Sequence, residues 1–380
     1  MKKISSVIFI FLFLINYSQI RDDITYLNGE WEIIYDYNNI GKSESYNTSE
    51  GFSKGTIESI AVPSVWERFK KDYEGVVYYR TSFNVNKDKM AVSLYPKEGN
   101  PMWEDFSTIT VMETLKFYSD YTFNYPYHKA ISVHAHRIGM EYPMICFNFG
   151  RPNLDGSYSD DEKFGMIGVI IHEIGHFFFP MIVNSDERQW AWMDEGINTF
   201  VQYLAEQEFG KKYPDIIYPN KNFPSDRGPA ELIVDYMSVD ENYLAPIMSN
   251  PENVYSLGPN AYGKPATALN ILRETVMGKE LFDYAFKKYS NRWKFKHPTP
   301  EDFFRTMEDA SAVDLDWFWR GWFYTTDFVD IGIKEINQYY VSPNPGEEMK
   351  KIMEDQGIPR NRLRPLIFFE KFENDSEDLK

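Results

Sequence analysis

Residues 172–176 read His-Glu-Ile-Gly-His and carry the clearest chemistry in the chain. They lie in an apolar stretch, residues 163–179, that predicts a buried helix. Residues four positions apart on a helix share one face. His172 and His176 could therefore bind one zinc ion, and Glu173 would project near the same pocket, where it could take a proton from water at the metal.

A catalytic zinc site usually has three protein ligands and one open position. Glu195, in the sequence Trp-Met-Asp-Glu-Gly that opens the next predicted helix, is the candidate third ligand. With His172 and His176 it forms a set of donors that suits zinc. We expect the side chain of Asp194 to point elsewhere on that helix. The alternative for the two histidines is ordinary packing in a helical core, which is costly for polar groups without partners.

The elements around these residues predict an α+β protein. Residues 20–86 are rich in β-branched and aromatic residues, with strands expected at 31–37, 56–62 and 76–85. Further on, the pattern predicts strands at 90–94 and 131–136 and a helix at 105–121. After residue 190 it is mostly helical, with helices expected at 194–209, 266–277, 281–293 and from 299 onward. Gly210 is the expected C-cap of the first of these.

The motif at 172–176, its spacing to Glu195 and the sequence around Glu195 resemble the gluzincin metallopeptidases of the aminopeptidase N and leukotriene hydrolase type. Two more motifs agree. Gly139, Met140 and Glu141 resemble the Gly-x-Met-Glu-Asn element of that family, although Tyr142 stands in place of its Asn. Tyr262, in Asn-Ala-Tyr-Gly-Lys, sits where the family has a tyrosine.

This resemblance implies a thermolysin-like catalytic domain over residues 87–335, with a mixed sheet lobe, a helical lobe and one zinc ion between them. It implies peptide hydrolysis, with His172, His176 and Glu195 as zinc ligands. By the same resemblance, Glu173 is the general base and Tyr262 donates to the oxyanion. Glu141, with Gly139 and Met140, binds the free amine of a peptide, which implies an aminopeptidase. The large β domain and the helical domain that flank the catalytic domain in this family have no counterpart here.

Residues 27–85 resemble part of the sugar-binding jelly-roll domain of β-galactosidase and β-glucuronidase enzymes. The resemblance rests on three stretches, Leu-Asn-Gly-Glu-Trp at 27–31, Val-Pro-Ser-Val-Trp-Glu at 62–67 and Gly-Val-Val-Tyr-Tyr-Arg-Thr-Ser-Phe at 75–83. It implies a short, incomplete β-sandwich segment over residues 20–86. Weak glycan contact through its aromatic residues is one prediction, and a framework role for these rings is the other.

The ends and the composition complete the interpretation. Residues 1–19 combine two lysines with an apolar run, which predicts a cleaved signal peptide and export to the periplasm or the extracellular space. No other segment has the length of a membrane span. The net charge of −17 argues against nucleic-acid binding, and the single cysteine excludes an internal disulfide framework. Residues 336–380 are polar and predict a C-terminal tail.

Two functions remain open at this point. The first is a zinc metallopeptidase that acts on peptides at or near their N-termini. The second is a non-enzymatic carbohydrate- or surface-binding protein, in which the zinc site is structural or vestigial. Peptide hydrolysis that depends on Glu173 distinguishes the first from the second.

Overall fold

The computed structural model describes residues 27–62, 64, 69–82, 90–217, 227–328, 339–342, 344, 346–357 and 368–371. The predicted signal peptide, residues 1–19, lies outside the described residues. The chain divides into two compact units, Met1–Thr326 and Asp327–Lys380. The β-rich segment and most of the predicted catalytic domain thus belong to one unit, which ends nine residues before the predicted boundary at 335.

The β-rich segment forms a three-stranded antiparallel sheet in the order β2-β1-β3. Its strands are β1 (Gly29–Tyr35), β2 (Glu58–Val62) and β3 (Val77–Arg80), and a short helix α1 (Ser49–Phe52) follows β1. Ile33 and Tyr35 are buried on one face, and Ile34 on the other. This alternation along β1 is the period of two that is typical of a β-strand. The described residues of this segment contain one sheet, and they show no second sheet of a sandwich.

Aromatic rings of this segment pack mainly on one another. The ring of Tyr73 lies 5.2 Å from that of Tyr35 and 4.9 Å from that of Tyr37, centroid to centroid. On the other face, the rings of Tyr46 and Tyr78 are 5.5 Å apart. These edge-to-face contacts favour the framework role over stacking on a sugar.

A four-stranded mixed sheet precedes the helices of the same unit. Its strands are β4 (Met90–Leu94), β5 (Lys129–His134), β6 (Met140–Tyr142) and β7 (Ile145–Asn148), in the order β4-β5-β7-β6. The first three strands in that order run parallel, and β6 is antiparallel to β7 at the edge. Among the described residues, β6 has a strand partner on one side only, β7, and it also contacts helix α3 (Asp160–Gly175).

The helical part supplies most of the core. Its longer helices are α2 (Met102–Tyr121), α3 (Asp160–Gly175), α4 (Ile197–Lys212), α7 (Lys264–Ile271), α8 (Lys279–Trp293), α9 (Pro300–Ser311) and α10 (Asp316–Tyr324). Two short helices, α5 (Pro214–Ile217) and α6 (Val234–Met237), lie between α4 and α7. Trp103, Trp192, Phe200, Phe286 and Phe303 are among the fully buried side chains that join these helices in one apolar cluster.

The cap predicted at Thr299 is confirmed. The hydroxyl of Thr299 accepts from the third residue of α9, and the carboxylate of Asp302 accepts in return from the backbone N–H of Thr299 at 3.0 Å. This reciprocal pair satisfies backbone donors that a helix start leaves without partners. Pro300, at the first helical position, has no N–H that needs one.

The expectation that Gly210 caps its helix is wrong. Helix α4 continues through Gly210 to Lys212, and the N–H of Tyr213 donates to the carbonyl of Phe209 at 2.8 Å. Lys212 and Tyr213 also contact the carboxylate of Glu113 on α2, at 2.5 and 2.7 Å. These tertiary contacts extend the helix beyond a residue whose local preference is to end it.

The prediction of a C-terminal tail over residues 336–380 also needs correction. Strands β8 (Tyr339–Ser342) and β9 (Phe368–Lys371) pair antiparallel, and helix α11 (Glu347–Asp355) lies between them in the chain. The apolar members of the two strands, such as Val341 and Phe369, are paired in register. The prediction was based on the polar composition of the whole segment, which does not indicate such short elements. Among the helices that the structure describes, none is both long and apolar enough to cross a lipid bilayer.

Candidate metal centre

Helix α3 places both histidines at its C-terminal end. Its start is set by Ser159, whose hydroxyl accepts from the N–H of Glu162 while the carboxylate of Glu162 accepts from the N–H of Ser159. The helix therefore begins three residues before the predicted start at 163. His172 lies in its last turn and His176 is its C-cap, with the N–H of His176 donating to the carbonyl of His172.

Glu195 reaches the same point from a wide, π-helical turn, Trp192–Gly196, that leads into α4. Such turns occur often at functional sites because they redirect side chains within an otherwise regular helix. Gly196 lets this turn approach α7, since a Cβ at that position would lie 2.5 Å from Cγ of Pro265 and 2.8 Å from the carbonyl oxygen of Ala261.

The three predicted zinc ligands converge. Nε2 of His172 lies 2.9 Å from Nε2 of His176 and 3.1 Å from Oε2 of Glu195. Nε2 of His176 lies 3.2 Å from the same oxygen. Zinc–donor bonds of about 2.0–2.1 Å at tetrahedral angles put the donors about 3.3 Å apart. The observed triangle of two nitrogens and one oxygen therefore fits a single zinc ion.

The other ring nitrogen of each histidine faces acceptors, which fixes where the proton sits. Nδ1 of His172 lies 2.8 Å from Oε1 of Gln202, and the amide nitrogen of Asn198 is farther away, at 3.4 Å. Nδ1 of His176 lies 2.9 Å from the carbonyl oxygen of Phe179 and 2.8 Å from Oδ1 of Asp194. In each ring Nδ1 carries the proton and donates, so that Nε2 is free to offer its lone pair to a metal.

Asp194 is placed differently from its prediction. The prediction that its side chain points elsewhere on the helix is wrong: the side chain is buried and its carboxylate lies against Nδ1 of His176. In the wide turn at Trp192–Gly196, successive side chains diverge less than in an α-helix, and Asp194 and Glu195 contact the same histidine. The sequence identified Glu195 but missed this support for the second histidine.

Glu173 is buried beside the ligands. It is 5% exposed, and its Oε2 has no hydrogen-bond partner among the described residues. Burial raises the pKa of Glu173 to about 8, with His176 opposing the rise and the carboxylates of Glu141 and Glu195 adding to it. A carboxylate oxygen kept unpaired in a buried position is available to a water molecule or a substrate proton.

Gly139 has a structural reason to be glycine. A Cβ at this position would lie 2.6 Å from Oε1 of Glu173 and 2.9 Å from Cγ2 of Val169. Both contacts belong to one face of α3, so the chain before β6 passes close to the carboxylate only because it has no side chain there. Gly139 thus contributes to the site through the position of Glu173.

The other two residues of the predicted amine-binding element lie on β6. Glu141 is buried, and one of its oxygens lies within 4.8 Å of a ring nitrogen of His176 and a carboxylate oxygen of Asp194. It pairs with Cys146 on β7, while Met140 pairs with Phe147 and is half-buried. The structure therefore brings Glu141 to the ligand cluster from the edge strand.

Tyr262 reaches the cluster from a second wide turn, Gly258–Gly263, before α7. Its hydroxyl donates to Oε1 of Glu195 at 2.5 Å, and its ring stacks on that of His172 with centroids 5.9 Å apart. The two oxygens of Glu195 thus have separate partners, Oε2 toward the histidines and Oε1 toward Tyr262. The guanidinium of Arg227 lies over the Tyr262 ring, 4.9 Å from its centroid.

Gly175, inside the motif, allows a close contact between helices. A Cβ there would lie 2.2 Å from Oδ1 of Asn198 and 2.3 Å from the hydroxyl oxygen of Tyr118. That hydroxyl donates to Oδ1 of Asn198 at 2.8 Å, and the amide of Asn198 donates to the carbonyl of His172 at 2.8 Å. Asn198 therefore ties the start of α4 to the helix that carries both histidines.

The cluster as a whole favours a positive charge. Burial disfavours the charged form of Glu195, but His176 and His172 outweigh it and hold the pKa of Glu195 below its usual range. Burial likewise opposes protonation of His176, yet Asp194 and Glu195 hold the pKa of His176 above its usual range. In such a cluster, protons and a metal ion compete with each other for the same lone pairs.

A comparison with protein families identifies the chain. The model described as the Peptidase family M1 domain matches residues 106–322, more than half of the chain. The chain belongs to peptidase family M1. The match includes every residue that the sequence predicts for the site. The resemblance to aminopeptidase N-type gluzincins is therefore confirmed.

Relatives in this family are distant in sequence. The chain is similar to "Probable aminopeptidase 2" of Sulfurisphaera tokodaii, with 23% identity over 72% of this chain and 36% of the relative. It is also similar to "Alanine/arginine aminopeptidase" of Saccharomyces cerevisiae, with 23% identity over 66% of this chain and 29% of the relative. This M1 chain spans about a third of the length of these relatives.

Among solved structures, the chain is similar to an M1 zinc metallopeptidase from Deinococcus radiodurans, with a TM-score of 0.44 and 15% identity over 60% of this chain and 46% of the other. It is also similar to Legionella pneumophila aminopeptidase A in complex with aspartic acid. There the TM-score is 0.46 and the identity 16%, over 68% of this chain and 28% of the other.

Proposed function

We propose that this M1 chain hydrolyses peptide bonds with one bound zinc ion, as an aminopeptidase. One observation carries the proposal. Two imidazole nitrogens and a carboxylate oxygen converge at 2.9–3.2 Å, with both Nδ1 protons engaged elsewhere, beside the buried Glu173. A structural zinc site usually has four protein ligands and no open position. A site with three protein ligands leaves one position for water or substrate.

His172, His176 and Glu195 would hold the zinc ion. When bound, it supplies a Lewis acid that polarises a peptide carbonyl and makes a coordinated water easier to deprotonate. The proton transfers depend on a side chain of the protein. Glu173 takes the proton of the attacking water through its unpaired Oε2 and passes it to the leaving amine. Its burial keeps bulk water from competing for this oxygen.

Tyr262 and Glu141 would orient the substrate. The Tyr262 hydroxyl donates to Glu195 at 2.5 Å, and the ring contacts both the His172 ring and the Arg227 guanidinium. In the proposed reaction this hydroxyl turns from Glu195 to the oxyanion, which it stabilises as a donor. Glu141 presents a buried carboxylate from the edge strand β6, suited to the free α-ammonium of a peptide.

The central test is Glu173→Gln. Glutamine fills nearly the same volume but cannot accept the proton, so we expect peptide hydrolysis to fall by at least about 10²-fold. Zinc content should stay at one ion per chain, since Glu173 is not among the three converging donors. Glu187→Gln, the same change at an exposed position, is the control and should leave both quantities unchanged. Equal turnover in the wild type and Glu173→Gln would exclude the proposed mechanism.

The aminopeptidase label needs a second measurement. Fluorogenic aminoacyl and N-acetylated peptides of the same sequence are compared with and without a chelator. Faster cleavage of free than of blocked peptides, lost in Glu141→Gln, is the expected result. Blocked peptides cleaved as fast as free ones would contradict the role of Glu141. Glycan retention without any hydrolysis would support the alternative of a binding protein.

We also infer export of this chain from residues 1–19, which lie outside the described part. N-terminal sequencing of protein recovered outside the cytoplasm tests the signal peptide, and intact residues 1–19 on cytoplasmic protein would contradict it. A glycan array probed with the zinc-loaded protein tests weak glycan contact through residues 20–86.

A further inference from the structure

Helix α4 carries a row of polar residues toward the metal centre. Glu195 lies in the wide turn just before α4, and Asn198, Gln202 and Glu206 follow within the helix at spacings of four, which places these three on one face. This face meets α3. Asn198 donates to the carbonyl of His172, and the amide of Gln202 lies 3.3 Å from the carbonyl oxygen of Gly168. The row runs from a metal ligand into the core.

Glu206 is the last member of the row and has no part in the proposed reaction. It is 1% exposed, and burying a carboxylate costs free energy unless it has partners. One of its oxygens accepts from Nε2 of Gln202 at 2.7 Å. It also lies against the backbone of α3, since a Cβ on Gly168 would be 3.5 Å from that oxygen.

Two acceptors favour the same orientation of the Gln202 amide, and Glu206, at 2.7 Å from Nε2, is a closer one than the carbonyl of Gly168, at 3.3 Å. A glutamine side chain has an NH₂ donor and a carbonyl acceptor of nearly equal size. With its NH₂ donating to Glu206, the carbonyl oxygen of Gln202 must face Nδ1 of His172, 2.8 Å away. The opposite orientation would set an NH₂ against an N–H and a carbonyl against a carboxylate.

We propose that Glu206 is a positioning residue for the metal centre, which it orients through Gln202 and His172. By holding Gln202 in one orientation, it keeps the proton of His172 on Nδ1 and the lone pair of Nε2 toward His176 and Glu195. This inference rests on the proposed zinc site. Partners of metal-binding histidines typically change metal affinity by about 10–100-fold when they are removed.

The primary test measures zinc affinity of the full chain by competition with a fluorescent chelator, alongside thermal unfolding of the metal-free protein. Glu206→Leu should weaken zinc binding about 10–100-fold. Glu206→Gln keeps a carbonyl acceptor for Gln202 and should stay within about threefold of the wild type. Glu208→Gln, on the exposed side of the same helix, is the matched control and should not change the affinity.

A rescue separates positioning from packing. In the double variant Gln202→Glu with Glu206→Leu, a carboxylate at position 202 can accept from Nδ1 of His172 without help from Glu206. Its zinc affinity should return to within about threefold of the wild type. If packing alone were responsible, the double variant would bind zinc as weakly as Glu206→Leu, and the proposal would be wrong.

Other outcomes are equally decisive. A folded Glu206→Leu protein with wild-type zinc affinity overturns the proposal. If this variant does not fold, the histidine nitrogens of the wild type are examined by NMR, and a proton on Nε2 of His172 overturns it instead. Absence of zinc binding by the wild type refutes the proposed function itself, which keeps the two failures distinct.

Discussion

Replacement of Gly139 by alanine tests how closely the chain before β6 must approach Glu173, the proposed general base. The added Cβ would lie 2.6 Å from Oε1 of Glu173 and 2.9 Å from Cγ2 of Val169. Normal contacts between a methyl carbon and these atoms are about 3.3–4 Å. Either Glu173 or the chain before β6 must therefore move by about 0.7–1 Å.

We expect this displacement to reduce kcat, because misplacing a reacting group by about 1 Å can cost about 10²-fold. None of the three proposed zinc ligands is among the nearest neighbours of a Cβ at position 139, so zinc content should remain one ion per chain. The cost in stability should be about 1–3 kcal/mol, the usual range for an extra methyl group in a filled site.

The assay combines steady-state cleavage of a fluorogenic aminoacyl substrate with metal analysis and thermal unfolding. Gly165→Ala on α3 is the matched control, since its Cβ would meet only Phe149, at an ordinary 3.6 Å. This control should keep full activity and gain up to about 1 kcal/mol from helix propensity. Wild-type kcat in Gly139→Ala would refute the argument that Glu173 depends on this contact.

Three further predictions follow from individual contacts. Tyr262→Phe should lower kcat by about 10²–10³-fold with little change in zinc content, and an unchanged kcat would exclude the hydroxyl from the reaction. Gly175→Ala should destabilise the fold by about 1–3 kcal/mol in chemical denaturation and weaken zinc binding, because it displaces Asn198; a more stable protein would contradict the contact geometry. Thr299→Ala should cost about 1 kcal/mol of stability at the start of α9 without any effect on turnover, and a loss of activity would show that this cap reaches the site.

The sequence predicted the fold best where local signals were strong. The strand at Met90–Leu94 and the start of α9 match the structure, because alternation and capping depend on neighbouring residues alone. The prediction that a helix ends at Gly210 is wrong, because contacts of Lys212 and Tyr213 with Glu113 extend α4. Short elements beyond residue 338 were hidden by the polarity of their surroundings.

For the candidate metal centre, the sequence alone predicted the three donor residues. His172 and His176 are four residues apart on one helix, and that spacing alone puts them on one face. The tertiary structure decided their supporting contacts. Gln202, Asp194 and the carbonyl of Phe179 meet the two rings only after α3, α4 and the wide turn before α4 have packed together. Gly139 and Gly175 are needed because segments far apart in the chain come into close contact there. A local sequence pattern does not predict such contacts.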